Sequence, residues 1–232
     1  RCVDTFLRTP AAIHLRPGGV LDRFPDMQVA RVGRLSGINI GRRPLSIGEI
    51  LVKRAFDICV ASLGLLAISP LMALVALAIK LDSPGPVFFR QRRYGFNQEP
   101  FGVFKFRSMR TEKNAKFVQA TRNDSRITRV GAFLRRTNLD ELPQLINVIL
   151  GDMSLVGPRP HALAHDRHYA DLIDDYLGRH RVKPGITGPW QVGGRSELSA
   201  EESTRLDLSY VENWSLSGDI VIMFKTVRAV LA

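Results

Sequence analysis

The run Leu134-Arg135-Arg136-Thr137-Asn138-Leu139-Asp140-Glu141-Leu142-Pro143 crowds two arginines, a polar pair and two adjacent acids into one short stretch. An ionised carboxylate beside cations suits a nucleophile that attacks phosphorus. Leu139, Leu142, Leu145, Ile146 and Ile149 follow at the spacing of one helix face. This predicts a helix with Asp140 and Glu141 in its first turn, and Pro143 agrees, since proline is tolerated near a helix start and not in its interior. The macrodipole, Arg135 and Arg136 are expected to hold the acids ionised there. The same residues also read as a plain helix start. Asn138 and Glu141 have capping-box spacing, with Asp140 only complementing the dipole.

The elements that must position this run begin with an apolar segment. Residues 58–79 carry no charge, and that length meets the requirement for a membrane-embedded helix. Four positive residues flank each side (Arg42, Arg43, Lys53 and Arg54; Lys80, Arg90, Arg92 and Arg93), so charge does not distinguish an inner from an outer end. Ser69-Pro70 sits at mid-segment, where proline removes an internal hydrogen bond. A kinked hairpin returning to the face it entered accommodates both facts; a single span with a tolerated proline is the alternative. Ser83-Pro84-Gly85-Pro86 then makes a sharp exit. Strands are predicted from Val87 to Arg93 and from Phe101 to Arg107, joined around Gly95-Phe96-Asn97, with Lys105 and Arg107 on one face.

Downstream, the helix after the acids is predicted to stop at Leu150-Gly151. Gly157-Pro158-Arg159-Pro160 fixes the backbone around an arginine, useful for meeting a phosphate and equally at home in a turn. A helix from about Ala164 to Leu177 would turn Tyr169, Leu172, Ile173 and Tyr176 toward a core. His161, His165, His168 and His180 match no standard zinc spacing. The loop from Lys183 to Arg195 is glycine-rich, with Trp190 available to stack on a base or sugar, and it matches neither a Walker loop nor a dinucleotide fingerprint. Residues 219–231 predict a terminal helix against core or membrane surface. Residues 1–43, rich in Pro, Gly and Arg, read as a linker or the end of an upstream domain, with a short helix near Val20 to Phe24.

The 232 residues can bury one good core with room for an appendage, and their formal net charge of +11 points to polyanionic partners. Cys2 and Cys59 provide no disulfide framework, which favours a reducing compartment. The chain opens on Arg1 with neither an initiator Met nor a signal-peptide pattern, and reads as a piece of something longer.

Several blocks taken in order resemble the catalytic region of bacterial monotopic phosphoglycosyl transferases, the exopolysaccharide-initiating sugar transferases similar to undecaprenyl-phosphate glucose phosphotransferases. They are Lys53-Arg54-Ala55-Phe56-Asp57, Ser69-Pro70, Ser83 to Phe89 with Gln91, Arg93 and Gly95, Lys105 to Met109, Leu139 to Leu145, Gly151 to Pro160, Thr187 to Arg195, and Tyr210 to Ser215. The resemblance implies an α/β fold, mostly helical with a small β-hairpin. It implies a monotopic protein of the bacterial inner membrane, with a re-entrant helix at about 51–82 and a cytosolic catalytic part at about 83–232. Residues 1–44 would be linker or remnant and 45–232 the sugar transferase domain.

The implied reaction moves a sugar-1-phosphate, from UDP-glucose or UDP-galactose, to undecaprenyl phosphate with release of UMP. By resemblance Asp140 is the nucleophile of a covalent phosphosugar intermediate and Glu141 completes the dyad, both near a Mg²⁺ that offsets diphosphate charge. Lys105, Arg107, Arg135 and Arg159 are expected to bind phosphate, and Gln191, Arg195 and Asp207 the nucleotide end. Pro189 and Ser196 depart from the family's usual bulkier apolar residue and asparagine, which bears on sugar or base preference. Membrane lipid is an expected partner and a homo-oligomer is left open. A membrane-tethered scaffold gripping anionic lipid is a rival reading. A nucleic-acid binder is the other; only the net charge favours it, and no reader motif is present, so no nucleic acid is expected.

Overall fold

The computed structural model describes residues 28–32, 35–39, 44–110, 124–173, 175–193 and 199–231. The chain divides into two compact units, 1–43 and 44–232. In the first, β1 (Gln28–Val32) and β2 (Leu35–Asn39) pair antiparallel with Gln28 opposite Asn39. Of the region read as a linker or the end of an upstream domain, these two strands are the described part. The helix expected near Val20 to Phe24 lies outside the described residues.

The second unit is built on α1, a helix of 36 residues from Ile47 to Asp82. Ser46 and Glu49 form a complete capping box at its start, and Lys80 lies in its last turn. The predicted break at Ser69-Pro70 is not seen: α1 continues through Pro70. Pro70 has no N–H for the Leu66 carbonyl, and the Ser69 hydroxyl donates to that oxygen instead at 2.8 Å. The helix is long and apolar enough to cross a membrane and mostly unburied; Leu63, Leu66 and Leu81 are 67%, 73% and 80% exposed. A core helix of a soluble protein would hide these side chains.

After α1 comes the antiparallel pair β3 (Phe88–Tyr94) and β4 (Pro100–Phe106), in register from Phe88 opposite Phe106 to Tyr94 opposite Pro100. Its turn is a 3₁₀ turn at Phe96–Gln98, within which Asn97 takes positive φ. Helix α2 (Arg129–Arg136) is capped twice. The Thr128 hydroxyl accepts from the Gly131 N–H, and the Asp82 carboxylate at the end of α1 accepts from the Val130 N–H. Gly131 itself is required, since a Cβ there would stand 2.0 Å from the Ser108 carbonyl oxygen.

Helix α3 (Gln144–Leu150) stops at Gly151, at φ 97°, where it was predicted to stop. Then β5 (Ser154–Val156) pairs parallel with β6 (Gly185–Thr187). Between them α4 spans Leu163–Leu172 and a separate 3₁₀ turn spans Tyr176–Arg181. The helix expected through Leu177 is thus shorter: Asp175 adopts left-handed geometry, so Tyr176 is buried from a different element while Leu172 is exposed. Helices α5 (Pro189–Val192), α6 (Ala200–Glu212) and α7 (Leu216–Leu231) complete the unit. The fold is mostly helical with small two-stranded pairings.

Two apolar clusters join α1 to the rest. Ala61 packs with Val103, Val148, Met153 and Val156, while Val75 and Ile79 pack with Phe106 and Leu134. Both halves of α1 therefore rest on the same body.

Candidate active site

Helix α2 ends at Thr137, and Asn138 then takes left-handed geometry at φ 57° with no side-chain cap bond. The capping-box reading of Asn138 and Glu141 is therefore not what is found. Asp140 and Glu141 stand on a 3₁₀ turn (Leu139–Glu141) ahead of α3, not in its first turn, because Pro143 starts that helix. Leu139 and Leu142 on either side pack against the Val75, Ile79, Phe106 and Leu134 cluster, so the turn is pinned by its apolar residues and shows its acids outward.

The two acids have different surroundings. Glu141 is clamped: Lys105 of β4 donates to Oε1 at 2.8 Å, and Arg159 donates from both terminal nitrogens, at 2.6 Å to Oε1 and 3.2 Å to Oε2. Burial alone would raise the pKa of this carboxyl, but the charges and hydrogen bonds of Arg159 and Lys105 outweigh it and bring it down to about 2. Among the described residues, no side chain hydrogen-bonds the Asp140 carboxyl. Burial, with Glu141 adding repulsion, pushes its pKa above the usual range, against the pull of Lys105 and exposed Arg135. The expectation that Arg135 and Arg136 would dominate at Asp140 is not what is found: burial outweighs Arg135 there, and the cations bonded to the dyad are Lys105 and Arg159, at Glu141. A carboxylate with raised basicity and no hydrogen-bond clamp is the better nucleophile of the pair.

Arg159 is held from behind. The loop 157–160 follows β5, and a Cβ at Gly157 would stand 2.5 Å from the Lys183 carbonyl oxygen, so only glycine lets it pass there. Arg179 donates to the Arg159 carbonyl at 2.7 Å, to the Tyr176 hydroxyl at 2.8 Å and to Asp207 at 2.6 Å; Arg93 donates to the Pro160 carbonyl at 3.3 Å. Burial pushes Asp207 up to about 6 despite its ion pair, and burial together with Arg179 pushes His161 down to about 3. Asp207 is 1% exposed. It supports Arg159 through Arg179, whereas the sequence suggested a place at the nucleotide end. Sequence reasoning missed Arg179, which carries no motif signal; Arg93 was visible only as part of a block.

Arg107 is engaged elsewhere. It shares a strand face with Lys105, yet its guanidinium is buried and donates to the carbonyls of Ser83 and Pro84 at 2.6 Å each, closing the exit of α1. Gln191 is 5% exposed and donates to the Ile186 carbonyl at 3.0 Å beside the cavity described next. Arg195 lies outside the described residues.

A cavity of about 440 Å³ opens beside the dyad, with Glu141 and Arg159 at its polar side and Leu139, Leu142, Leu145, Ile186 and Trp190 among its walls. No group of three or more His, Cys, Asp or Glu able to hold a metal ion occurs among the described residues. Mg²⁺ commonly takes one or two carboxylates and completes its shell with water and substrate phosphates. The unclamped Asp140 carboxyl fits that role, while Glu141 already serves two cations.

A second ionic cluster lies away from this cavity. Lys53 of α1 donates to Asp219 at 2.6 Å, to the Tyr210 hydroxyl at 3.2 Å and to the Val156 carbonyl at 3.1 Å. Trp214 and Tyr210 also donate to Asp219. Beside it Arg54 donates to the Val148 and Ile149 carbonyls at the end of α3, and Asp57 accepts from the Leu155 N–H. The first block of the resemblance, Lys53 to Asp57, is thus an anchor between α1 and the catalytic part.

Comparison with known proteins identifies the family. The family model described as bacterial sugar transferase matches residues 48–232. Relatives include a UDP-glucose:undecaprenyl-phosphate glucose-1-phosphate transferase of Escherichia coli (strain K12), 56% identical over 79% of this chain and 41% of that protein. An undecaprenyl-phosphate glucose phosphotransferase of Komagataeibacter xylinus is 46% identical over 94% of this chain and 43% of that protein. The exopolysaccharide production protein PSS of Rhizobium leguminosarum bv. phaseoli is 48% identical over 77% of this chain and 94% of that protein. The chain spans about two-fifths of the length of the first two. With the dyad, its cationic clamp and the exposed apolar helix in one unit, the chain belongs to the bacterial sugar transferase family.

Proposed function

We propose that this chain transfers glucose-1-phosphate from UDP-glucose to undecaprenyl phosphate, releasing UMP, in the initiation of exopolysaccharide synthesis. The observation that carries the reading is the division of labour in the dyad: Glu141 clamped by Lys105 and Arg159, Asp140 left unclamped with raised basicity beside it.

In the first step an Asp140 carboxylate oxygen bonds to the sugar-bearing phosphorus of the donor, and the bond from that phosphorus to UMP breaks. In the second, a phosphate oxygen of the acceptor attacks the same phosphorus. The aspartyl bond breaks, Asp140 recovers its carboxylate, and a lipid-linked diphosphosugar leaves. Lys105 and Arg159, held in place through Glu141, meet the diphosphate oxygens, and exposed Arg135 adds charge from the end of α2. Mg²⁺, held by Asp140 and the substrate phosphates, would offset charge on the transferred group.

The long helix is read as re-entrant, with the catalytic part on the cytoplasmic face of the bacterial inner membrane. Support comes from its attachments. Lys53, Arg54 and Asp57 near one end bond to β5, α3 and α7, and Asp82 and Ser83 at the other bond to α2 and Arg107. Both ends bound to one polar body support a return to the face entered, although α1 stays helical through Ser69-Pro70, where one backbone hydrogen bond is missing.

The test is intact-protein mass after brief exposure to UDP-glucose and Mg²⁺ without acceptor. The wild-type protein gains one hexose phosphate on the Asp140 peptide, and Asp140→Asn gains none. Turnover without such an adduct would replace this two-step reading by direct transfer. UDP-galactose run in parallel decides the sugar.

A further inference from the structure

The cavity beside the dyad has a charged side and an apolar side. Glu141 and Arg159 supply its charged lining. Three of the other polar lining side chains are already engaged. The Thr187 and Thr226 hydroxyls hydrogen-bond at 2.6 Å, Thr226 also donates to the Ile222 carbonyl, and the Gln191 amide donates to Ile186. What remains facing the space is mainly carbon. A pocket for a nucleobase needs polar groups aimed at the base edge, whereas this one suits an apolar chain.

The walls also lead to the membrane segment. Leu145 lines the cavity, and a Cβ at Gly64 in the charge-free stretch of α1 would lie 3.8 Å from Leu145 Cδ1. Leu139 and Leu142 line the cavity as well and pack against Val75 and Ile79, farther along the same helix. On the other side Thr226 belongs to α7, whose Val221, Phe224 and Val227 are exposed at one-face spacing, Phe224 at 73%. The apolar wall is thus continuous with the apolar surface of α1 and borders a second exposed apolar helix face, while its opposite limit is the phosphate-binding arginine.

We propose that this cavity holds the isoprene units nearest the phosphate of the lipid acceptor. The chain comes from the bilayer along α1 and the phosphate stops at Arg159 beside Asp140. The proposal rests on the function proposed above and deepens it by placing the acceptor's apolar chain at Leu139, Leu142, Leu145, Ile186, Trp190 and Thr226.

The experiment uses the intact protein in lipid nanodiscs and a polyprenyl phosphate bearing a diazirine in the isoprene next to the phosphate. After irradiation, label is expected in the peptides containing Leu139 to Leu145 and Ile186 to Trp190. Unlabelled polyprenyl phosphate should suppress it, and uridine, which shares no phosphate with the acceptor, should not. Label absent from both peptides, or suppressed by uridine, overturns the proposal. Independently, Thr226→Trp fills the cavity and should raise the acceptor KM by about tenfold, the scale of losing burial for one or two methylenes, while the Asp140 adduct still forms from the donor. Leu145→Ala, which crowds nothing, should move acceptor KM the same way by less. Unchanged acceptor KM in both variants, or slowed adduct formation with normal lipid transfer, overturns it. If wild-type protein never forms the Asp140 adduct, the covalent mechanism fails, and the labelling result still decides the cavity.

Discussion

Two clusters in this chain have nearly the same parts and different uses. At Glu141, one carboxylate meets Lys105 and Arg159 beside an open cavity, with side chains 17–30% exposed. At Asp219, one carboxylate meets Lys53, Tyr210 and Trp214, and the Lys53 and Asp219 side chains are 9% and 1% exposed. The first retains access to a ligand and has a second acid, Asp140, with no hydrogen-bonding side chain. The second is closed, and every charge in it is answered. A buried charge is tolerated only when paired and hydrogen-bonded, so the closed cluster is held by necessity, whereas the open one can exchange partners when phosphate arrives. Ionic composition alone does not mark a site; access and an unclamped group do.

The sharpest way to break this contrast is to disable each cluster in turn. Asp140→Asn should lower UMP release by about 10⁴-fold, the scale seen when a carboxylate of a catalytic set is lost, and leave the urea unfolding midpoint near wild type. Asp219→Ala should reverse the pattern. It leaves Lys53 buried without its counter-charge, for a loss of about 3–5 kcal/mol by denaturant unfolding, while folded protein still forms the Asp140 adduct. A large stability loss in the first variant, or a dead but stable second one, would erase the distinction.

Acid should find the open cluster next. The Glu141 carboxyl titrates at about 2 in the folded protein against about 4.5 in the unfolded chain. Its folded pKa is depressed, so its stabilisation is present above about pH 4.5 and fades as pH falls toward 2, on the order of 2–3 kcal/mol. Unfolding followed with chelator present should show this limb in wild type and lose it in Glu141→Gln. The smallest effect is expected for Arg159→Lys, which keeps charge and loses the two-pronged contact to Glu141. Turnover should fall about 10- to 100-fold with stability nearly unchanged. A neutral outcome would mean the fork geometry is irrelevant.

Much of the site could be read before any fold was known, because its parts are local. Asp140 and Glu141 are adjacent, Lys105 lies in an alternating strand, and Arg159 stands between prolines. Arg107 and Asp207 are engaged away from where the sequence suggested, for one reason. Their charge suggested a ligand, but their partners are separated widely in sequence: Ser83 and Pro84 for Arg107, Arg179 for Asp207. Arg179 and Asp219 escaped notice for the same reason, since a buried ion pair leaves no periodic trace. The boundary of α4 and the turn type at Asp140 also differed from expectation, where left-handed Asp175 and Asn138 override the local helical pattern.

By itself, the sequence determined the charge-free span of α1, the helix stop at Gly151, the adjacency of the two acids and the stiff backbone around Arg159, because composition and local stereochemistry suffice for each. Tertiary structure alone decided which acid is clamped and which is not, that both ends of α1 fasten to one body, and which cations close a helix or brace a loop instead of facing the cavity. Those outcomes depend on hydrogen bonds between residues far apart in the chain and on how much water each charge keeps, quantities that exist only once the elements have packed.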